Sequence, residues 1–538
     1  MMRASGALLA SLALGSSMVA LRAEMPPVDL PAKGRLIYET GMLSSGAALR
    51  AERGGGVVSI GQAAACIKCH QRSGFGLFEA NNLVPPVTGP SLFHNVRPPA
   101  QTQRRAPGMS HQEFPHHTRP AYDDVTLARA LREGISSRGY RFQYLMPRYD
   151  ISDEDMSALI AYLRQLSSEP SPGIDKETAH FATVIASGQD RLRRQAVVDV
   201  LTACIEKRRP ADHGGQRWFL HVWDLEGPPE AWLPQLKVQY AKQPVFAIVS
   251  GLGSYDWGPV HRFAENLRIP QLFPNIDIAP VSDGGTYSFY FWKGVGLEAE
   301  VIARYVRDRA IANGVKRVIQ VGTGTGAGAK AAEVLRQQLE MILPVENRDL
   351  KFDAFQELSA AFADLSRTDL LVIWLRSKDV ATLTRAVPPP VGQIVFSGWL
   401  SGLEQAPITL SWKRVSVMVY PVDAPRRRDA RMQFNLRPWL KQNVIEYSDE
   451  ILLGNTLAAC NLLREGMLRL RGAFFRDYLV ELTENYPTGM GNAPAAIAFP
   501  RFLAASGQRY SSRGAYIIRF APPTWTDLEL VQDWIVPE

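Results

Sequence analysis

Cys66-Ile67-Lys68-Cys69-His70 is the most specific short run in this chain. Two thiols at this spacing can add across the two vinyl groups of one haem, while the adjacent imidazole binds its iron. A thioredoxin-type pair would need a helix N-terminus inside a βαβ unit, and a zinc site would need a second ligand pair. Neither context is present. The preceding run, GGGVVSIGQAAA, is too glycine-rich for the strand of such a unit. One covalently attached haem c is therefore the expected cofactor.

An iron with only His70 on one face leaves a second face open. Met109 lies in a loop rich in Pro, Arg and His, and Met156 falls inside a helical pattern. Met146 stands before Pro147, which disfavours helix and predicts an extended stretch from which a thioether can project. His70 and Met146 are thus the expected iron ligands. Ser152-Asp153-Glu154-Asp155 then predicts a capping box, opening a helix with apolar positions Met156, Leu159, Ile160, Leu163 and Leu166.

The order of these pieces resembles the class I cytochrome c family. The pieces are Gly34-Arg35-Leu36-Ile37-Tyr38-Glu39-Thr40-Gly41, the Cys66–His70 run, Thr88-Gly89-Pro90-Ser91-Leu92, Met146-Pro147 and the helix over 153–166. The resemblance implies an all-α domain in which the Pro90 carbonyl accepts the ring N–H of His70 and fixes its tautomer. Two insertions depart from the family. About 25 residues separate the first helix motif from the cysteines, counted as a loop-length departure. Residues 97–120 carry Arg97, Arg104, Arg105 and Arg119 against Glu113, with His111, His116 and His117. Those histidines read as solvated, because no carboxylate or Cys pair completes a coordination set. The arginines read either as a docking surface for an acidic redox partner or as ordinary surface.

After a linker, Ser167-Ser168-Glu169-Pro170-Ser171-Pro172-Gly173, the pattern becomes buried strands alternating with amphipathic helices. Strands are predicted at 180–185, 217–223, 244–250, 315–321, 351–355, 370–375, 393–398 and 415–421, the rhythm of an α/β fold with parallel sheets. Residues 244–251, 259–265, 269–275 and 288–291 resemble type I periplasmic binding proteins of the branched-chain amino acid transporter class. The resemblance implies two lobes with a small molecule between them, held where strands turn into helices. It points to Ser250, Ser254, Tyr255, Asn275 and Asp277, each of which ordinary turn chemistry explains equally well. Gly322-Thr323-Gly324-Thr325-Gly326-Ala327 satisfies a loose dinucleotide fingerprint, but no acidic residue ends a following strand at the required distance. Cys204 and Cys460 lie on apolar helix faces and read as buried free thiols, since sequence alone cannot bring their α-carbons within bridging reach.

At roughly 150 residues per domain, 538 residues make three or four folded units. The segment 1–23 reads as a signal peptide, with Met1-Met2-Arg3 before an apolar run and small residues near Ala20 and Ala23. A cytochrome domain over 24–170 and a two-lobed domain over 171–538 follow. No later run approaches the roughly 18 apolar residues of a membrane span. Export to the periplasm disfavours nucleic acid as a partner despite the net charge of +7. No Ser/His/Asp, paired-carboxylate or metal-hydrolase set is present, so no enzyme is expected. The expected function is electron transfer serving a periplasmic dehydrogenase or another cytochrome. The rivals are a small-molecule sensor or ABC transport receptor with a redox domain, and an enzyme in which Met146 is displaced and the iron binds a substrate or gas.

Overall fold

The computed structural model describes residues 29–79, 82–95, 119–207, 215–253, 256–280, 285–342, 345–352, 362–485 and 509–537. The expected signal segment and nearly all of the Arg/His-rich insertion lie outside them. Two compact units result: Met1–His70 with Val84–Leu166, and Gln71–Leu83 with Ser167–Glu538.

In the smaller unit, α1 (Leu30–Thr40) starts at an Asp29 cap and stops at Gly41, whose φ of 67° only glycine adopts freely. It crosses α5 (Asp153–Gln165), and Gly34 marks the crossing. A Cβ there would stand 2.0 Å from the Ala158 carbonyl oxygen, so only glycine lets the two backbones meet. Tyr38 and Tyr162 pack beside it with ring centroids 5.3 Å apart. Between these helices lie α2 (Ile67–His70), α3 (Gly89–Phe93) and α4 (Asp124–Glu133). Ser152 caps α5 through the Asp155 N–H, but the Asp155 side chain turns to the Ser44 N–H and the Ser152 hydroxyl instead of closing a reciprocal box.

The all-α expectation needs correction. The insertion before the cysteines forms a hairpin of β1 (Arg50–Arg53) and β2 (Val57–Ile60), and β1 also pairs with β3 (Arg148–Asp150). The three-glycine connection supplies the reason, since Gly55 and Gly56 both take positive φ, as a tight hairpin requires.

The larger unit contains two sheets. In the first, β4 (Thr178–Ile185), β5 (Arg217–Asp224), β6 (Ala247–Val249), β7 (Gln271–Leu272) and β8 (Ser288–Phe289) run parallel in the order β8-β7-β6-β4-β5. Both faces are buried: Phe181 and Ile185 enter one core, Ala182 and Val184 the other. That is why these strands read as near-continuous apolar runs. The second sheet has β9 (Arg317–Gly322), β10 (Glu346–Lys351), β11 (Asp369–Trp374), β12 (Gln393–Ser397), β13 (Ser416–Tyr420), β14 (Ala515–Ala521) and β15 (Asp527–Ile535), ordered β10-β9-β11-β12-β13-β14-β15. Its last two pairings are antiparallel. The strand expected at 351–355 lies earlier, because pairing with β9 fixes its register at 346–351.

Three helices of this unit matter below: α6 (Arg191–Ile205), α7 (Glu450–Leu470) and α8 (Arg476–Glu484). Cys204 on α6 and Cys460 on α7 are joined as a disulfide with α-carbons 6.6 Å apart, which corrects the reading of two free thiols. The helices pack side by side through the same apolar faces that made both cysteines look merely buried.

Candidate functional site

Cys66 precedes α2, and the helix carries Cys69 and His70 through one turn, with the His70 N–H bonded to the Cys66 carbonyl at 2.9 Å. Neither thiol is in a disulfide; Cys66 is buried and Cys69 partly exposed. Burial pushes the Cys66 thiol up to about 11, only partly offset by the Tyr149 hydroxyl beside it.

His70 is 6% exposed, and burial pushes its pKa down to about 4, so the ring is neutral. Its Nδ1 lies 2.9 Å from the carbonyl oxygen of Pro85. A carbonyl only accepts, so Nδ1 carries the proton and Nε2 keeps the lone pair a metal needs. The expected role of Pro90 is therefore overturned: Pro85 is the acceptor. Pro90 sits exposed in the first turn of α3, behind the Thr88 cap, where its fixed φ suits helix initiation. Pro85 lies in the non-helical stretch that precedes it.

Met146 is partly buried and packs against the core cluster that includes Cys66, Tyr149 and Leu159. It does not lie in an extended stretch. Its N–H bonds to the Gln143 carbonyl at 3.3 Å, closing a turn, and the strand begins only at Arg148. Two thiols outside any disulfide, a neutral imidazole of fixed tautomer and a thioether at the rim of the same core form a donor set that fits a covalently attached haem. Among the described residues, no group of three or more His, Cys, Asp or Glu could hold a metal ion instead.

In the larger unit the residues named from sequence divide. Ser254 and Tyr255 lie outside the described residues. Ser250, just past β6 with φ 53°, and Asn275, just past β7, form a hydrogen-bonded knot with Thr456 of α7. The Asn275 amide donates to Ser250 Oγ at 3.1 Å and to Thr456 Oγ1 at 3.2 Å. Asp277 faces the other sheet. It accepts from the Arg376 guanidinium at 2.5 Å and from Trp399 Nε1 at 3.0 Å. Arg376 follows β11 and Trp399 follows β12, so carboxyl ends of strands from both sheets converge on one carboxylate. In open α/β sheets such strand ends are where ligands bind.

Glu298, fully buried on the helix Val295–Asn313, supports Trp399 from behind. It accepts the Trp399 backbone N–H at 2.9 Å and the Ser397 hydroxyl, and burial pushes its carboxyl up to about 8. Sequence reading missed Arg376, Trp399, Glu298 and Thr456. The first two were within reach, because each stands one or two residues past a predicted strand.

Residues 59–167 match the family model for cytochrome c. No curated protein matches the chain. Among solved structures, the chain is similar to a fatty acid ABC transporter substrate-binding protein from Thermomonospora curvata. That match has 15% identity and a TM-score of 0.48, covering 69% of this chain and 95% of the other. It is also similar to the leucine binding protein LivK from Thermotoga maritima, at 12% identity and TM-score 0.48, over 67% and 99% of the two chains. A branched chain amino acid ABC transporter protein from Thermus thermophilus with bound valine matches at 12% identity and TM-score 0.48, over 68% and 97%.

Proposed function

We propose that this chain is a periplasmic electron-transfer protein with one haem c, joined to a unit that binds a small molecule, and that a periplasmic dehydrogenase is its electron donor. The observation that carries the first part is the Pro85–His70 hydrogen bond, which holds a buried neutral imidazole beside two cysteines that stand outside any disulfide at haem-attachment spacing. When bound, the haem supplies a one-electron iron couple. Cys66 and Cys69 would tether it, and His70 through Nε2 and Met146 through its thioether would ligate the iron, a pair that raises the potential. The Pro85 carbonyl keeps the His70 proton on Nδ1. A filled ligand set leaves no position for substrate, so the chain has no catalytic turnover of its own in this reading.

The visible spectrum of the purified protein tests it. One haem per chain, low-spin in both oxidation states, with the methionine-to-iron charge-transfer band in the ferric form, is the expected result, and Met146→Ala should abolish that band. A high-spin ferric spectrum would instead mean an open iron that binds a substrate or gas.

The second part rests on Asp277, just past β7, meeting Arg376 and Trp399 at the ends of β11 and β12. Arg376 and Trp399 are donors that an acidic ligand group would take over from Asp277. This supports the sensor or transport-receptor reading of the larger unit alongside electron transfer. A library of small carboxylates screened by thermal midpoint tests it. A midpoint shift lost in Arg376→Ala supports the site, and no shift with any compound removes it.

A further inference from the structure

The chain leaves the smaller unit after His70 and re-enters it at Val84, and the thirteen residues Gln71–Leu83 belong to the larger unit. The two ends of this strap are functionally paired. One is the histidine, and the other leads within two residues to Pro85, whose carbonyl orients that histidine at 2.9 Å.

The larger unit fixes it through α8. Ser73 is fully buried, and both carboxyl oxygens of Glu481 are used on it, the N–H donating at 2.7 Å and the hydroxyl standing 2.5 Å away. The Ser73 carbonyl in turn accepts from the Ser167 hydroxyl at 2.7 Å. Arg72 pairs with Glu484 at 3.0 Å, and Glu484 pairs again with Arg509 at 2.7 Å. Phe75 stacks on Tyr478 with centroids 4.5 Å apart. The backbone is bent to make these contacts: Gln71, Gly74 and Gly76 all take positive φ, of 63°, 75° and 74°. Non-glycine residues rarely adopt that region unless the surroundings hold them there.

Glu481 differs from the charged pairs around it. It is 3% exposed, and burial pushes its carboxyl up to about 8 against the pull of the Ser73 contacts and Arg72. A carboxylate placed there only for charge would pair with a cation, as Glu484 does. Glu481 spends its oxygens on one serine of the strap.

We propose that Glu481 is a positioning residue for the iron-ligand histidine, fixing the strap through Ser73 and thereby holding the Pro85 carbonyl on His70 Nδ1. The proposal rests on the haem reading for its consequence, and on the strap contacts alone for its anchor. A hydrogen bond to the far nitrogen of a metal-bound histidine makes the ligand more basic. Loosening the strap weakens that bond, makes His70 a poorer donor to ferric iron and raises the reduction potential.

The experiment uses the full-length protein with Glu481→Ala, Glu481→Gln and Ser73→Ala, read by amide exchange of residues 71–77 and by potentiometric titration. Glu481→Ala should speed exchange in 71–77 by about tenfold, the loss expected for one strong hydrogen bond, and should raise the potential. Gln can still accept the Ser73 N–H and should stay near wild type in both readouts. Ser73→Ala removes the hydroxyl contact to Glu481 and the acceptor of the Phe75 N–H at 3.2 Å, so it is read at the other amides of 71–77, where it should move both readouts less, in the same direction. It serves as the test should Glu481→Ala fail to fold. Unchanged exchange in Glu481→Ala, or in Ser73→Ala in its place, overturns the anchor. Faster exchange with an unchanged potential overturns the link to His70. Wild-type protein lacking a haem spectrum sinks the functional reading instead, and the exchange arm still decides the anchor.

Discussion

Glu298 should make the larger unit less stable as pH rises through neutrality, and Glu298→Gln should remove that loss. Its carboxyl is fully buried, with Asp277 adding negative charge nearby and only the Ser397 hydroxyl and the Trp399 and Gly398 N–H groups favouring ionisation. Burial wins, raising the group from 4.5 to about 8. A carboxyl raised on folding binds its proton more tightly in the native state than in the unfolded one. Its stabilising contribution is complete below about 4.5 and is lost as pH climbs through about 8. At 1.36 kcal/mol per pH unit, the share withdrawn between about pH 5 and about pH 8.5 is on the order of 4 kcal/mol.

Gln copies the shape and still accepts the Trp399 N–H, so the variant keeps the packing without the titration. All 11 tryptophans of the chain lie beyond residue 200, so tryptophan fluorescence reports the larger unit alone. In urea, at an m value of about 3 kcal/mol/M, the variant's midpoint should gain on wild type by roughly 1 M between those pH values. His180 and His221, both lowered by burial, are common to both proteins and cancel in the comparison. Glu481 also rises to about 8, so Glu298→Gln should retain part of the slope and the double variant with Glu481→Gln should lose more of it. Parallel midpoint curves for wild type and Glu298→Gln would refute the reasoning.

Gly34→Val should push α1 off α5, because the added Cβ meets the Ala158 carbonyl at 2.0 Å. A loss of about 3 kcal/mol is expected, read as an earlier guanidinium midpoint of the haem absorbance with tryptophan fluorescence unmoved. Arg476→Met should strand the Phe246, Leu267, Pro172 and Val245 carbonyls that its guanidinium satisfies. The cost should be about 4 kcal/mol by the same fluorescence, and an unchanged midpoint would mean water replaces the guanidinium. Replacing Cys204 and Cys460 together by Ala opens a cross-link spanning 256 residues of sequence. Stability should fall by about 4 kcal/mol, whereas the haem spectrum should not change.

The parts of this architecture that sequence disclosed were those set by local chemistry. Cys66 to His70 carry their haem-attachment spacing in their own order, Ser152 starts α5 as its side chain requires, and the buried parallel strands announced themselves as apolar runs. What sequence hid was set by tertiary approach. Pro85 and Pro90 are both prolines just before or within one turn of helix, and only the path of the chain decides whose carbonyl meets His70. Cys204 and Cys460 looked like isolated buried thiols because their proximity depends on how α6 and α7 pack. The hairpin at 50–60 has a partly polar strand, Arg50–Arg53, and its signal was the glycine triplet, which counts against a βαβ strand but is what a tight hairpin needs. Arg376 and Trp399 were invisible as a pair because they come from different strands and meet only at Asp277.

The bond between α6 and α7 also dictates how this protein can be made. Four cysteines allow three pairings, and two of those tie the thiols proposed to attach the haem to Cys204 and Cys460. The remaining one leaves Cys66 and Cys69 free only if they are not oxidised to each other first. Maturation must therefore run an oxidation and a reduction on one polypeptide in one compartment. Cys204 and Cys460 are both fully buried, so once joined they are out of reach of the reductant that keeps the other pair open. Folding of the larger unit is thus a sorting step, closing one thiol pair to chemistry before haem attachment takes the other.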